Sequence, residues 1–150
     1  MPRATFTTDL MVGFPGESRE DFLETVEFAR RARFLDAHVF AYSRREGTPA
    51  ADYPDQIPED EKHLRSEELI KASHEVRDSL LSEIVDGGEP LSVIAETHRK
   101  DGTVSAHSDT YVEVSFKSPS PCDLSGELVT VRPVSHKDGI VYAEFINFCK

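Results

Sequence analysis

Two loops hold the residues of this chain that are best suited to bind a ligand. The first, called the glycine loop here, is residues 13–17 (Gly-Phe-Pro-Gly-Glu), which follow an apolar run at residues 10–12. Glycine lets a backbone approach a ligand closely, and a strand that ends in such a loop before a helix often presents N–H groups there. A tight turn without a ligand explains the spacing about equally well, because a lone glycine-rich turn is weak evidence.

The surrounding pattern predicts the elements that position this loop. Residues 6–12 and 37–42 are predicted as strands, and residues 19–33 as an amphipathic helix with Ser18 as its N-cap. Strand, helix and strand with short links form a βαβ unit, so the two strands should be parallel. Residues 43–50, called the polar loop here, leave the second strand at the same sheet edge as the glycine loop. Ligands bind at that edge in parallel α/β folds, so the two loops should face one site.

From residue 90 onward, apolar and polar residues alternate, which is typical of half-buried strands. Four strands are predicted at residues 91–96, 111–116, 128–132 and 140–145, and residues 104–108 are a candidate fifth. A helix over residues 58–85 precedes them and ends at two glycines. The predicted fold is therefore α/β over residues 1–87, followed by a small all-β antiparallel barrel of OB-like type over residues 88–150.

Charge and composition restrict the possible functions. The 150 residues carry a formal charge of −11, which on its face argues against nucleic-acid binding. Residues 1–87 hold 11 basic and 19 acidic side chains, whereas residues 88–150 hold 6 and 9. The second half is therefore the less repulsive surface for a polyanion. No apolar run is long enough for a membrane span and no signal peptide is evident, so we expect a cytoplasmic protein.

The residue types that commonly bind metals are scattered. Cys122 and Cys149 form no C-x-x-C pair, so neither a disulfide framework nor a metal or cluster site is predicted. Six histidines occur without an H-x-x-x-H spacing, and His38 is expected to be a core residue. We therefore expect no metal ligands in this chain.

Two segments of the first half carry a recognisable pattern: residues 8–17 (Thr-Asp-Leu-Met-Val-Gly-Phe-Pro-Gly-Glu) and residues 38–50 (His-Val-Phe-Ala-Tyr-Ser-Arg-Arg-Glu-Gly-Thr-Pro-Ala). An acidic helix and a terminal β module follow them. In this order they resemble the C-terminal part of the radical-SAM tRNA methylthiotransferases. The resemblance implies that residues 1–87 are the end of a partial β/α barrel and that residues 88–150 are a TRAM domain, which grips tRNA. The His-Val-Phe sequence at residue 38 is closer to the branch that acts on threonylcarbamoyladenosine beside the anticodon than to the isopentenyladenosine branch.

The resemblance also implies cofactors, partners and site residues. S-adenosylmethionine and [4Fe–4S] clusters are the implied cofactors, and tRNA and an N-terminal portion of the enzyme are the implied partners. The implied S-adenosylmethionine contacts are Gly13, Phe14, Pro15, Gly16, Glu17, Tyr42, Ser43 and Arg45. The implied RNA contacts are Lys100, Tyr111, Arg132 and Lys137. Ordinary solvated strand and turn residues are the alternative interpretation of these last four.

The chain departs from the family pattern at two places. The C-x-x-x-C-x-x-C set that holds the family's radical cluster is absent, so no catalytic residue is expected here and the chain alone should be inactive. Residues 106–112 (Ala-His-Ser-Asp-Thr-Tyr-Val) lack the Asn that relatives carry before Tyr-Val. An alternative function is therefore a free-standing RNA-binding or interaction module without catalysis.

Overall fold

The computed structural model describes residues 4–119, 121 and 123–149. They form two compact units: residues 6–77, and residues 4–5 together with residues from 78 onward. This division lies inside a long helix and therefore precedes the domain boundary predicted after residue 87, which remains a prediction. Cys122 lies outside the described residues.

The first unit begins with the predicted βαβ arrangement. Strand β1 (Thr7–Val12), helix α1 (Arg19–Ala32) and strand β2 (Asp36–Ala41) follow one another, and the two strands are parallel. A short 3₁₀ helix (Pro49–Asp52) then leads to helix α2 (Glu59–Gly87), which continues into the second unit. The 3₁₀ helix lies in a stretch for which no regular element was predicted.

Helix α1 begins where the sequence predicts. The Ser18 hydroxyl accepts a hydrogen bond from the Asp21 N–H, and the Asp21 carboxylate accepts one from the Ser18 N–H in return. The Ser18 hydroxyl also donates to the Asp21 carboxylate at 2.7 Å, and this bond, followed by the one from the Ser18 N–H, lowers the pKa of Asp21. The capping box satisfies donors that a helix start otherwise leaves unpaired.

Both helices pack on one face of the β1–β2 pair. The cluster that holds them together contains Val12, Phe22, Val26, Ala29, Leu69 and Ala72, with Leu10 and Val39 packed against it. The opposite face of the strands is open: Met11 is 53% exposed and Phe40 43% exposed. His38 also lies exposed on this open face, with its ring edge-on to that of Phe40 at 4.8 Å, so the prediction of a core histidine was wrong.

The second unit contains a closed five-stranded barrel. Its strands are β3 (Leu91–His98), β4 (Thr103–Ser108), β5 (Glu113–Lys117), β6 (Leu128–Lys137) and β7 (Ile140–Phe148). They close in the order β3-β4-β5-β7-β6, and the buried side chains of the strands are apolar, most of them valine and alanine. The candidate fifth strand at residues 104–108 is confirmed as β4.

Three details of the barrel differ from the sequence prediction. Strands β5 and β7 pair in parallel, so the barrel is not purely antiparallel. Strand β6 continues beyond residue 132 through Pro133, where the register shifts and the missing N–H of proline is tolerated. Tyr111 was predicted to open a strand, but it has a left-handed backbone conformation (φ 60°) in the turn before β5.

Candidate functional site

The glycine loop satisfies most of its own backbone donors. The Gly13 N–H donates to a Glu17 carboxylate oxygen at 2.8 Å, and the Glu17 N–H donates to the Phe14 carbonyl oxygen at 2.9 Å. The Gly16 N–H donates to the Asp55 carbonyl oxygen at 3.0 Å. Because these three donors are used within the protein, the loop does not offer a row of N–H groups to an anionic ligand.

Glu17 is part of an ion pair that is shielded from solvent. Its carboxylate lies 2.5 Å from a guanidinium nitrogen of Arg65, and the two side chains are only 11% and 6% exposed. The same nitrogen donates to the Glu17 carbonyl oxygen at 2.9 Å, and Arg65 Nε donates to Glu61 at 2.8 Å. Glu17 therefore holds the glycine loop against α2.

Glu17 and Glu61 favour the charged form of Arg65. Burial lowers the pKa of Arg65, but hydrogen bonds and charge interactions with Glu61 and Glu17 outweigh burial and raise the pKa above its ordinary value. The guanidinium therefore stays charged at neutral pH.

Lys62 explains why residue 13 is glycine. A Cβ atom at Gly13 would lie 2.4 Å from Lys62 Cγ, and the Gly13 backbone has φ +73°. Lys62 is 3% exposed, its ammonium donates to Glu59 at 2.6 Å, and it lies 5.4 Å from the ring centroid of Tyr42. The lysine stem thus occupies the space that a side chain at position 13 needs.

Sequence reasoning missed Lys62 and Arg65, although a signal was present. The two residues continue the buried stripe of Leu69 and Ala72 toward the start of α2 at spacings of three and four. Charged residues on an apolar stripe are buried when a partner is available. Lys62 pairs with Glu59 on the same helix. Arg65 pairs with Glu61 on that helix and with Glu17, 48 residues away.

The structure brings Phe14 and Tyr42 together. Their ring centroids are 5.3 Å apart with an interplanar angle of 72°. Tyr42 is 7% exposed, and its hydroxyl has no hydrogen-bond partner among the described residues. Its N–H donates to the Val12 carbonyl oxygen at 2.8 Å, which ties the start of the polar loop to the end of β1.

Three other predicted cofactor contacts lie on the two loops. Pro15 is half-buried, and Ser43 and Arg45 are exposed on the polar loop. The Arg45 carbonyl oxygen accepts hydrogen bonds from the N–H and the hydroxyl of Thr48, at 3.3 and 2.8 Å. The arrangement at this sheet edge therefore offers aromatic rings and exposed polar side chains.

The strand pairing separates the four predicted RNA contacts. Strand β3 is antiparallel to β4 and β6, and β5 is parallel to β7, so the turn before β5 and the turn before β7 lie at the same end of the barrel. Tyr111 and Lys137 share that end. Lys100, in the turn between β3 and β4, lies at the opposite end, and Arg132 lies on the wall opposite Glu144 of β7.

The turn that carries Tyr111 is built around Ser108. The buried Ser108 hydroxyl accepts hydrogen bonds from the N–H groups of Thr110 and Val112, at 3.2 and 3.1 Å. Tyr111 is 78% exposed and has the left-handed backbone conformation that costs a tyrosine energy. A large ring held in solvent by a strained turn is a suitable surface for stacking.

The turn next to Lys100 is held by Asp101. Its carboxylate accepts hydrogen bonds from the N–H and the hydroxyl of Thr103, at 2.9 and 2.8 Å, and lies 3.3 Å from the Lys117 ammonium. These contacts, with the Thr103 backbone N–H contributing most, lower the pKa of Asp101 to about 2.

This lowered pKa predicts a pH dependence. Because the pKa of Asp101 is lower in the folded than in the unfolded chain, its stabilising effect is complete above pH ~4 and is lost as the pH falls toward 2. An NMR titration of the Asp101 carboxyl carbon should give a midpoint of about 2. Thr103→Val, which removes the hydroxyl donor, should raise that midpoint, and an unchanged midpoint would show that the hydroxyl contact has no effect.

Neither a metal centre nor a membrane span is found among the described residues. No group of three or more His, Cys, Asp or Glu side chains in this part of the chain is placed to hold a metal ion. Cys149 is half-buried, with its sulfur 3.3 Å from the Thr130 hydroxyl and 3.7 Å from that of Ser92. None of the described helices is long and apolar enough to cross a membrane.

Comparison with known proteins gives consistent relatives. The chain is 36% identical over 148 residues to the threonylcarbamoyladenosine tRNA methylthiotransferase of Bacillus subtilis, covering 96% of this chain and 32% of that protein. It is 40% identical over 141 residues to the tRNA-2-methylthio-N(6)-dimethylallyladenosine synthase of Mycobacteroides abscessus, covering 93% of this chain and 25% of that protein. The synthase of the same name from Carboxydothermus hydrogenoformans is 33% identical over 145 residues, 94% of this chain and 32% of that protein.

No protein-family model matches the chain. The chain spans about a third or less of the length of the curated relatives it matches. The matched regions nevertheless cover both compact units, so the relationship applies to the glycine loop and to the barrel together. The homologues of this chain are tRNA methylthiotransferases.

Proposed function

We propose that this chain is the C-terminal part of a radical-SAM tRNA methylthiotransferase. The observation that carries the proposal is the similarity to methylthiotransferases over 96% of the chain, across both units. The first unit fits the end of a partial β/α barrel, because parallel strands covered by helices on one face leave the other face for a barrel interior. The closed five-stranded barrel fits the RNA-gripping TRAM module that the family resemblance implies.

The proposed substrate is threonylcarbamoyladenosine beside the anticodon of tRNA. A relative named for that nucleoside is 36% identical to this chain, and a relative named for dimethylallyladenosine is 40% identical, which does not separate the two substrates. The proposal therefore depends on the His-Val-Phe sequence that begins at His38. We place this activity in the cytoplasm, where tRNA is modified.

S-adenosylmethionine fits one wall of the sheet edge. The Tyr42 hydroxyl is buried without a partner among the described residues, and Phe14 presents an exposed ring next to it. When bound, S-adenosylmethionine supplies the methyl group and the radical of the reaction. In this proposal Phe14 and Tyr42 orient it, Ser43 and Arg45 contact its polar parts, and Glu17 contributes by holding the glycine loop in place.

The iron–sulfur clusters do not fit the residues of this chain. A [4Fe–4S] cluster is commonly held by four cysteine thiolates, and the radical clusters of this family by three, whereas the sequence has two cysteines that are 27 positions apart. We derive no step of the reaction through a cluster in this chain. In the proposed enzyme the clusters belong to the N-terminal portion, which is the implied partner of these residues.

The barrel is proposed to bind tRNA at the end where Tyr111 and Lys137 lie. Exposed aromatic rings stack on unpaired bases, and lysine ammonium groups contact phosphates. The strained turn that presents Tyr111 supports this assignment. In this proposal Lys100 contacts a more distant part of the RNA backbone, because it lies at the opposite end of the barrel, and Arg132 lies on the wall between.

A tRNA-binding measurement tests this assignment. The chain should retard tRNA at low salt, and Tyr111→Leu should weaken binding about tenfold, while Tyr111→Phe keeps the ring and the affinity. Lys137→Ala should weaken binding severalfold. It should also reduce the slope of log affinity against log salt concentration by about one, because one phosphate contact is lost. Lys71→Ala removes the same charge from an exposed position of α2, outside the barrel, and is the matched control.

Two outcomes would contradict the proposal. Absence of tRNA binding at low salt would exclude RNA binding by this chain. The catalytic assignment is checked by exchanging the matched region of the Bacillus subtilis enzyme for these residues, which should preserve methylthiolated nucleosides in tRNA. A folded chimera that binds tRNA but leaves it unmodified would favour a binding module without catalysis.

A further inference from the structure

A cavity of about 560 Å³ lies at the end of the barrel that carries Lys100. Two segments of the chain line it, the turn between β3 and β4 and the segment that follows β5. The first segment contributes His98, Arg99 and Lys100, and the second contributes Ser118 and Asp123. Cavities of this size hold a small molecule or part of a larger one. We call this cavity the basic pocket.

Arg99 and Lys100 bring positive charge to the basic pocket. Both residues are exposed, and neither forms an ion pair in the part of the chain that the structure describes. Lys117, by contrast, pairs with Asp101 at 3.3 Å. The chain has a formal charge of −11 and repels anions over most of its surface. Two adjacent cations without a partner therefore make this pocket a favourable place for an anion.

The two carboxylates at the pocket are engaged within the protein. Asp101 accepts hydrogen bonds from the N–H and the hydroxyl of Thr103, and Lys117 offsets its charge. An Asp123 oxygen accepts hydrogen bonds from the N–H and the hydroxyl of Ser125, at 2.9 and 2.7 Å. The cations without a partner therefore outnumber the one carboxylate whose charge is not offset by a lysine.

His98 adds a hydrogen-bond donor to the same pocket. Its side chain is only 8% exposed, and its Nδ1 accepts a hydrogen bond from the Leu124 N–H at 3.2 Å. Because an accepting Nδ1 carries no proton, the neutral ring carries its proton on Nε2. The contact with Leu124 thus fixes the form of His98 that donates from Nε2.

We propose that the basic pocket binds a phosphate group, with Arg99 and Lys100 neutralising its charge and His98 donating a hydrogen bond from Nε2. A guanidinium presents paired N–H donors that match two phosphate oxygens, and an ammonium adds a compact charge. Where the phosphate belongs to RNA, the inference rests on the proposed function and adds Arg99 and His98 to Lys100. A free phosphorylated small molecule carries the same group and is the other source.

An NMR titration of the full 150-residue chain with inorganic phosphate tests the proposal. The amide signals of residues 98–102 and the His98 Nε2 signal should shift along one saturation curve, whereas sodium chloride of equal ionic strength should leave them unchanged. Arg99→Gln should weaken this binding about tenfold, and Arg99→Lys should weaken it less, because the charge remains but the paired donors are lost. Arg31→Gln removes the same charge from an exposed position of α1, in the other unit, and is the matched control.

Two further probes distinguish the source of the phosphate. Saturation of the same signals at a lower concentration of a uridine-rich single-stranded RNA than of inorganic triphosphate would support a site for the RNA backbone. Saturation at a lower concentration of inorganic triphosphate would support a site for a free phosphorylated small molecule.

The proposal is wrong if neither inorganic phosphate nor triphosphate shifts the signals of residues 98–102. It is also wrong if the folded double variant Arg99→Gln with Lys100→Gln binds both anions as tightly as the unmodified chain. Its failure is separable from failure of the proposed function. Phosphate binding in the pocket without tRNA binding by the chain would keep this inference and reject RNA binding by the barrel. Binding of tRNA that depends on Tyr111, with no phosphate in the pocket, would do the reverse.

Discussion

Replacing Arg65 by alanine should lower the free energy of unfolding of residues 6–77 by about 3–5 kcal/mol, because it leaves the Glu17 carboxylate shielded from water without a cationic partner. The glycine loop should also loosen, since Arg65 contacts the Glu17 carboxylate and carbonyl groups together. Amide hydrogen exchange of the buried α1 residues Phe22 and Val26 measures this loss, and the β3–β7 barrel provides an internal reference.

A matched control separates this effect from ordinary loss of charge. Arg30→Ala removes an arginine of α1 that pairs with Glu75 at 2.8 Å, but both side chains are nearly half exposed, so the cost should stay below about 1 kcal/mol. Replacing both buried partners, in Glu17→Gln with Arg65→Met, should restore much of the stability. Equal costs for Arg65→Ala and Arg30→Ala would show that the Glu17–Arg65 pair does not hold the loop.

Gly13→Ala should destabilise the same unit by about 2–4 kcal/mol, through two separate effects. A left-handed backbone costs a residue with a Cβ atom about 1–2 kcal/mol, and Gly13 has φ +73°. The new Cβ would also lie 2.4 Å from Lys62 Cγ, which belongs to the buried stem of that side chain and cannot move away cheaply. Chemical denaturation followed by hydrogen exchange of β1 measures the sum.

Two variants divide the sum into its parts. Gly16 has a similar backbone conformation, φ +86°, but a Cβ added there would have no atom within 4 Å. Gly16→Ala should therefore lower the free energy of unfolding by only about 1 kcal/mol. In a Lys62→Ala background the steric part disappears, and Gly13→Ala should then cost about as much as Gly16→Ala. If Gly13→Ala costs the same with and without the Lys62 side chain, the lysine is not the reason for glycine at this position.

Local patterns in the sequence were sufficient to predict most of the elements. The Ser18 cap, the apolar spacing of α1 and the two apolar strands predicted the parallel βαβ unit, because each depends on residues close in sequence. The alternation of apolar and polar residues predicted the barrel strands for the same reason. Strands β5 and β7 pair in parallel only because the intervening β6 lies on the far side of β7, which no local pattern indicates.

The sequence by itself therefore determined the order of the elements and the two loops at one sheet edge, since periodicity and capping act over a few residues. The tertiary structure decided which charges are buried and which rings meet. Arg65 is buried because Glu17 approaches it from 48 residues away, and Tyr53 reaches Phe14 because Asp55 bonds to the glycine loop. Tyr111 and Lys100 lie at opposite ends of the barrel because the strand register places them there. These outcomes depend on contacts between distant residues, and short-range spacing does not specify them.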